Sequence, residues 1–329
     1  MENNLLKPQS ETQSKGSDHN FIARDPIMIS TIEQARRFAQ SDFPILILGE
    51  SGVGKEVMAN EVHMASPRKN NPFIAINCGA IPKDMIESEL FGHEKGAFTS
   101  AHDRKQGLLE IANHGTLLLD EIGDLPYNLQ QKLLRVIETK SFFRVGGTKE
   151  IQVDVRFISA TNRNLDKEIT DGNFREDLYY RISTLTINIP PLRARTSDIP
   201  LLVDYIIQQN PNESIRKKRF NKEALKIARE YSWPGNVREL QNVVNRTMLL
   251  SNDRDVIFPE DISFDPIRSK KSSNGRKLKD IERDHILNIL IDVKGKKGEA
   301  ARILDIDPKT LYRKMLGFKN ELLQAGIAC

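Results

Sequence analysis

The run Pro44-Ile45-Leu46-Ile47-Leu48, followed at once by Gly49-Glu50-Ser51-Gly52-Val53-Gly54-Lys55, constrains this chain more than any other feature. Consecutive large apolar residues suit a strand buried on both faces, and the glycine-rich turn predicts strand, loop and helix in immediate succession. In that order the glycines let backbone N–H groups converge on phosphate oxygens at a helix N-terminus, while Lys55 reaches the β- and γ-phosphates of a nucleotide. One position departs from the general pattern. Glu56 stands where a Ser or Thr would touch magnesium, so Mg²⁺ must rest mainly on another carboxylate and on water.

That carboxylate is supplied by Gly115-Thr116-Leu117-Leu118-Leu119-Asp120-Glu121, a buried strand ending in two acids about 65 residues beyond Lys55. In this Walker B pattern Asp120 holds Mg²⁺ directly or through water, and Glu121 orients and polarises an attacking water. Phe73 to Asn77 and Val155 to Ala160 read as further strands, with Asn77 and Thr161-Asn162 at their ends. Asn77 there suits a turn cap, and Asn162 suits either a turn or a γ-phosphate sensor. Leu125 to Glu138 carries a helical apolar stripe. Alternating strands and helices predict an α/β fold with a doubly wound parallel sheet.

Beyond it the pattern turns helical. A helix over Phe174 to Ile182 carries Arg175, Asp177 and Arg181, and the two arginines on this evidence alone are surface residues. After Pro190-Pro191 helices are predicted over Asp198 to Gln209, Lys222 to Tyr231 and Val237 to Leu250, with Asn236 as N-cap of the last. Arg238 falls in its first turn, where the helix dipole disfavours a cation, which suggests a phosphate partner.

Charge divides the chain. From Pro266 to Cys329 there are 15 Lys and Arg against 8 Asp and Glu, a surplus of seven, whereas the whole chain is only +4. The basic tail suggests a nucleic-acid-binding appendage on an enzyme-like body. It opens with a linker over 266–277, then a helix over Ile281 to Val293 and two short helices, Glu299 to Leu304 and Lys309 to Leu316, across a tight turn. This is helix-turn-helix spacing, and the second short helix would bring Lys309, Thr310, Tyr312, Arg313 and Lys314 to the major groove of double-stranded DNA. Residues 1–20 are polar and read as a disordered leader of a cytoplasmic protein. No apolar run is long enough to span a membrane, and two cysteines make no disulfide framework.

Gly96-Ala97-Phe98-Thr99-Ser100-Ala101 fits none of these elements. It has neither helical nor strand periodicity, and it sets an apolar ring among residues that predict solvent, so Phe98 needs a receiver.

Together these residues resemble the bacterial enhancer-binding proteins, the AAA+ activators of sigma-54 RNA polymerase. The likeness rests on Gly-Glu-Ser-Gly-x-Gly-Lys-Glu at 49–56, on Glu89-Leu90-Phe91-Gly92-His93-Glu94 with the loop after it, and on Pro190-Pro191-Leu192-Arg193. Trp233 to Leu240, Ala300-Ala301-Arg302 and Thr310 to Lys314 extend it. It implies an AAA+ ATPase with an α/β subdomain over 21–192, a helical lid over 193–265, the linker, and a Fis-type helix-turn-helix domain over 278–329. Gly49, Glu50, Ser51, Gly52, Val53, Gly54, Lys55 and Glu56 would bind ATP, with Arg238 as second sensor and Asn162 as first. Asn77 would be the switch that holds Glu121. Arg175 and Arg181 would be arginine fingers acting on a neighbouring subunit's ATP, which implies a ring, usually a hexamer. Gly96 to Ala101 would be the surface loop, usually written GAFTGA, that contacts sigma-54 in the polymerase holoenzyme, and the tail would hold an upstream activator site. Ser100 replaces a glycine of that loop, and a serine disfavours the positive-φ conformations that glycine visits freely. With about twenty residues in place of a sensory domain, regulation would fall to a separate protein, unless the chain is a fragment.

Overall fold

The computed structural model describes residues 21–99, 101–251, 254–264, 282, 285–286, 289–290, 293 and 296–316. The leader, the linker, Ser100 and most of the helix expected over 281–293 lie outside them. The chain divides into two compact units, one ending at Phe264 and one starting at Asp265.

The first unit is built on a five-stranded sheet of β1 (Ile45–Leu48), β2 (Phe73–Asn77), β3 (Thr116–Asp120), β6 (Arg156–Thr161) and β7 (Leu185–Asn188), in the order β2-β3-β6-β1-β7. Every pairing in it is parallel. The apolar residues of these strands are explained by burial on both sides. Leu117, Leu119, Leu46 and Phe157 enter the core on one face, and Leu118, Ile45, Ile47, Ile158 and Ala160 that on the other. Helices α1 (Pro26–Ala39) and α2 (Lys55–Met64) cover the second face, and α3 (Ile86–Phe91), α4 (Leu108–Ile111), α5 (Tyr127–Thr139), α6 (Leu165–Thr170) and α7 (Glu176–Ile182) contribute to the first. Strand β6 lies between β1 and β3, so the loops after all three open at one sheet edge, the usual ligand edge of such folds.

Two elements absent from the sequence reading matter for the site. Strand β7 pairs with β1 along its length, and its Leu-Thr-Ile-Asn alternation is too short to stand out beside a helix. A hairpin of β4 (Ser141–Phe143) and β5 (Glu150–Gln152) surrounds Gly146-Gly147.

Helices α8 (Ile199–Gln208), α9 (Glu213–Arg216), α10 (Lys222–Glu230) and α11 (Asn236–Leu250) pack with the short pair β8 (Arg219–Phe220) and β9 (Val256–Ile257) around a core of their own. Trp233 is its anchor, 1% exposed, with its indole N–H donated to the Ala228 carbonyl at 2.6 Å. Asn236 is not the N-cap of α11. Gly235 takes that position, while Asn236 sits inside the helix at φ 52° with its side chain turned to the phosphate loop.

In the second unit α12 (Lys297–Ile303) and α13 (Pro308–Leu316) enclose a small core of Ile286, Leu290, Ala300, Ala301, Leu311 and Met315. Asp307 accepts the Lys309 N–H at 2.8 Å and so starts α13.

Candidate nucleotide site and remodelling loop

The phosphate loop is shaped at positions that favour glycine. Gly52 has φ 79°, and a side chain there would meet the Gly235 carbonyl at 2.4 Å. Gly54 caps α2 without any side-chain hydrogen bond, so the first amides of that helix stay free for an anion. Lys55 is buried at 7% exposure, and its ammonium donates to the Gly49 carbonyl at 3.2 Å and to Glu121 Oε1 at 3.3 Å.

Across the edge, Asp120 and Glu121 diverge because Glu121 adopts a left-handed conformation at φ 50°. Glu121 turns to Lys55 and accepts the Asn162 backbone N–H at 3.3 Å. Asp120 Oδ2 accepts from Asn77 Nδ2 at 3.2 Å, and Asp120 Oδ1 is buried without a partner among the described residues. Burial, reinforced by the neighbouring Glu121 charge, raises the Asp120 pKa. The strand register sets Asn77 beside Asp120, so the asparagine holds that acid and not Glu121, the partner implied by the resemblance. Its own Oδ1 accepts from the Gly79 and Ala80 amides. Beside the site Cys78 is buried, and desolvation first, then the Asp120 charge, pushes its thiol up to about 12, so it stays neutral.

The lid closes over this edge. Arg238 donates to Ser51 Oγ at 3.0 Å, and the Val237 N–H to the Gly52 carbonyl at 3.0 Å. Between lid and loop lies a cleft of about 490 Å³ with an apolar floor that includes Val53, Val57 and Ile206, and with Gln241 and Asn245 on its wall. Its size and mixed lining suit a nucleoside.

Arg175 and Arg181 do not meet the Lys55–Glu121 pair. Arg175 is held by Asp177 at 2.7 Å and stacks over Tyr127. Arg181 lines a cleft with Pro44, Val155 and Thr184, the residues that precede β1, β6 and β7, hence at the opposite end of the sheet. Glu56 is exposed.

The loop around Phe98 has a built base. His93 and Lys105 exchange backbone hydrogen bonds at 3.0 and 2.9 Å, and Glu94 N–H and Val145 N–H bind Val145 and Gly92 carbonyls at 3.0 Å. Arg144, 6% exposed, forks onto Glu110 at 2.8 and 2.5 Å and reaches Glu94 at 2.6 Å. At the tip Gly96 N–H binds the Ala101 carbonyl, and Phe98 is 42% exposed with its ring edge-on to His93 at 4.9 Å. Nothing in the composition of the loop identifies Arg144; two residues on, Gly146 has a positive φ, and a side chain there would strike Ala97 at 2.8 Å.

In the second unit Lys309, Tyr312 and Arg313 are exposed on α13 and Thr310 is half-buried, while Lys314 is engaged with Glu282 at 2.6 Å.

Residues 21–188 match the sigma-54 interaction domain, 193–279 the AAA+ ATPase lid domain, and 277–317 the Fis family of bacterial regulatory proteins. The chain belongs to the sigma-54 activator family. It is 39% identical over 340 residues to the DNA-binding transcriptional regulator NtrC of Proteus hauseri, covering 94% of this chain and 72% of that one. To the nitrogen fixation protein AnfA of Azotobacter vinelandii it is 42% identical, covering 97% and 60%. The chain spans 60% of AnfA and 52% of the transcriptional regulatory protein GlrR of Escherichia coli, which is 49% identical over 233 residues. The crystal structure of NtrX from Brucella abortus in complex with ATP superposes with a TM-score of 0.70 at 33% identity, over 91% of this chain and 69% of that one. As a member of the sigma-54 activators the protein is an AAA+ ATPase with a Fis-type DNA-binding unit. Among the described residues no helix is long and apolar enough to cross a membrane.

Proposed function

We propose that the protein couples ATP hydrolysis to remodelling of the sigma-54 RNA polymerase holoenzyme, opening a promoter while α13 holds an upstream DNA site. The reading is carried by one observation. A short connected path leads from the water-activating acid to the base of the Phe98 loop. Glu121 starts the turn Ile122–Asp124, α5 follows, β4 follows α5, and Arg144 after β4 grips Glu94. A shift at Glu121 therefore has few joints in which to dissipate before it reaches the loop.

Asp120 fits a magnesium site. Its Oδ1 is buried on the nucleotide edge with no partner among the described residues, and Mg²⁺ characteristically takes one or two carboxylates with phosphate oxygens and water. Bound there, the ion would neutralise charge on the β- and γ-phosphates. The amides at the start of α2 and Lys55 hold the phosphates, Glu121 orients the water, and Asn162 and Arg238 sense the nucleotide. Arg175 and Arg181 complete the site of an adjacent copy in a hexameric ring. Both are exposed or partly so and lie off their own site, as fingers acting in trans require. Asn77, held on Asp120, would exchange partners as a switch.

The test is transcription from a sigma-54 promoter with purified components. Wild-type protein with ATP should give open complexes, whereas Phe98→Ala should keep ATP turnover and lose opening. Normal opening by Phe98→Ala would remove the loop from the mechanism.

A further inference from the structure

The outer arc of the phosphate loop is held by the lid. Arg193 donates Nη1 to Glu50 Oε2 at 2.8 Å and Nη2 to Glu50 Oε1 at 2.5 Å, a two-pronged fork. Asn236 donates to the same Glu50 Oε2 at 3.1 Å and to the Ser51 carbonyl at 3.0 Å, while its own Oδ1 accepts the Leu192 N–H at 2.8 Å. Arg195, 1% exposed, donates to the Val53 carbonyl at 2.8 Å. Residues 50–53 are thus bound one after another to lid residues.

A carboxylate is an odd component of a loop that must receive a triphosphate, because like charges a few ångströms apart repel. Here Arg193 takes up that charge and, with Asn236, keeps the carboxylate on the lid side. The hydrogen bonds from Arg193 come first among the causes that pull the Glu50 pKa down to about 2, so the charge is present at any physiological pH. Both partners are nearly half exposed, at 47% and 43% of their side chains, so this contact opens at small cost, unlike buried Arg195.

We propose that Arg193 is a positioning residue for nucleotide binding: it holds the Glu50 carboxylate on the lid, away from the phosphate cradle, and so ties lid closure to nucleotide affinity. The proposal rests on Gly49 to Lys55 being the phosphate loop. Releasing Glu50 should cost affinity, and removing its charge should return it.

Titration calorimetry of Mg·ADP into the full chain provides the test. Arg193→Met should weaken binding about tenfold, an order expected for one unpaired charge near the phosphates. Adding Glu50→Gln to that variant should recover most of the loss, which no purely structural defect would do. Arg193→Lys, which keeps the charge without the fork, should fall between wild type and Arg193→Met, and it serves if Arg193→Met does not fold. In ATP turnover the loss should appear as a larger change in KM than in kcat. Unchanged affinity in both Arg193 variants, or a double variant as weak as Arg193→Met, overturns the proposal. Lys55→Ala separates the two levels: if it binds ADP normally, the phosphate-loop reading itself fails.

Discussion

At the scale of single residues the site turns on how two adjacent acids are kept different. Asp120 is drawn inward, with one oxygen on Asn77 and the other buried with no partner among the described residues, whereas Glu121 is swung out by a left-handed backbone onto Lys55. One is thereby suited to a cation and the other to a water. Glu121→Gln keeps the shape and the hydrogen-bond reach but not the basicity. It should bind ATP with affinity near wild type while kcat falls about 10²- to 10⁴-fold, the range of a lost general base. Phosphate release alongside nucleotide binding checks both halves. Which acid Asn77 holds was not legible in the sequence, since it depends on the register of β2 against β3, and register is a tertiary outcome.

At the scale of elements, the parts that could be read were those whose period or composition is extreme. The strands β1 and β3 are apolar runs that lead into polar residues, β6 mixes apolar with polar residues, and the helices α8, α10 and α11 carry clear stripes or breaks. What escaped was either too short to show a period, as with the three-residue strands of the β4–β5 hairpin that braces the Phe98 loop, or made by contact between distant segments, as with β7 on β1 and the lid's hold on the phosphate loop. Asn236 shows why. Its neighbours look like a helix start, but a capping side chain was recruited 186 residues away, to Glu50, and Gly235 took the cap. The same contact explains Gly52. Its positive φ and its 2.4 Å approach to the Gly235 carbonyl mean that Gly52→Ala must strain the backbone and push α11 away. That variant should lose about 2 kcal/mol or more of stability. Denaturant unfolding measures the cost, and Mg·ADP should restore less of it than in wild type because the lid no longer seats.

At the scale of the whole molecule, one chain carries parts that cannot serve each other. The Lys55–Glu121 pair lies at the C-terminal edge of the sheet, and Arg181 lies in the cleft at the N-terminal ends of β1, β6 and β7. If Arg181 completes a site, the site belongs to another copy, and a head-to-tail contact of that kind gives a ring where its rotation closes. Arginine fingers contribute about 10³- to 10⁵-fold in related nucleotide hydrolases, so Arg181→Ala should be nearly inactive at any concentration. Lys55→Ala should be inactive for a different reason, because it lacks the phosphate contact but keeps its finger. Mixing the two dead variants separates action in trans from action within the chain. In a one-to-one random ring roughly a quarter of the interfaces pair an intact phosphate loop with an intact finger, and ATP turnover should reappear on that order. A mixture that stays dead, under conditions where wild-type turnover rises with protein concentration, would place Arg181 outside the catalytic assembly.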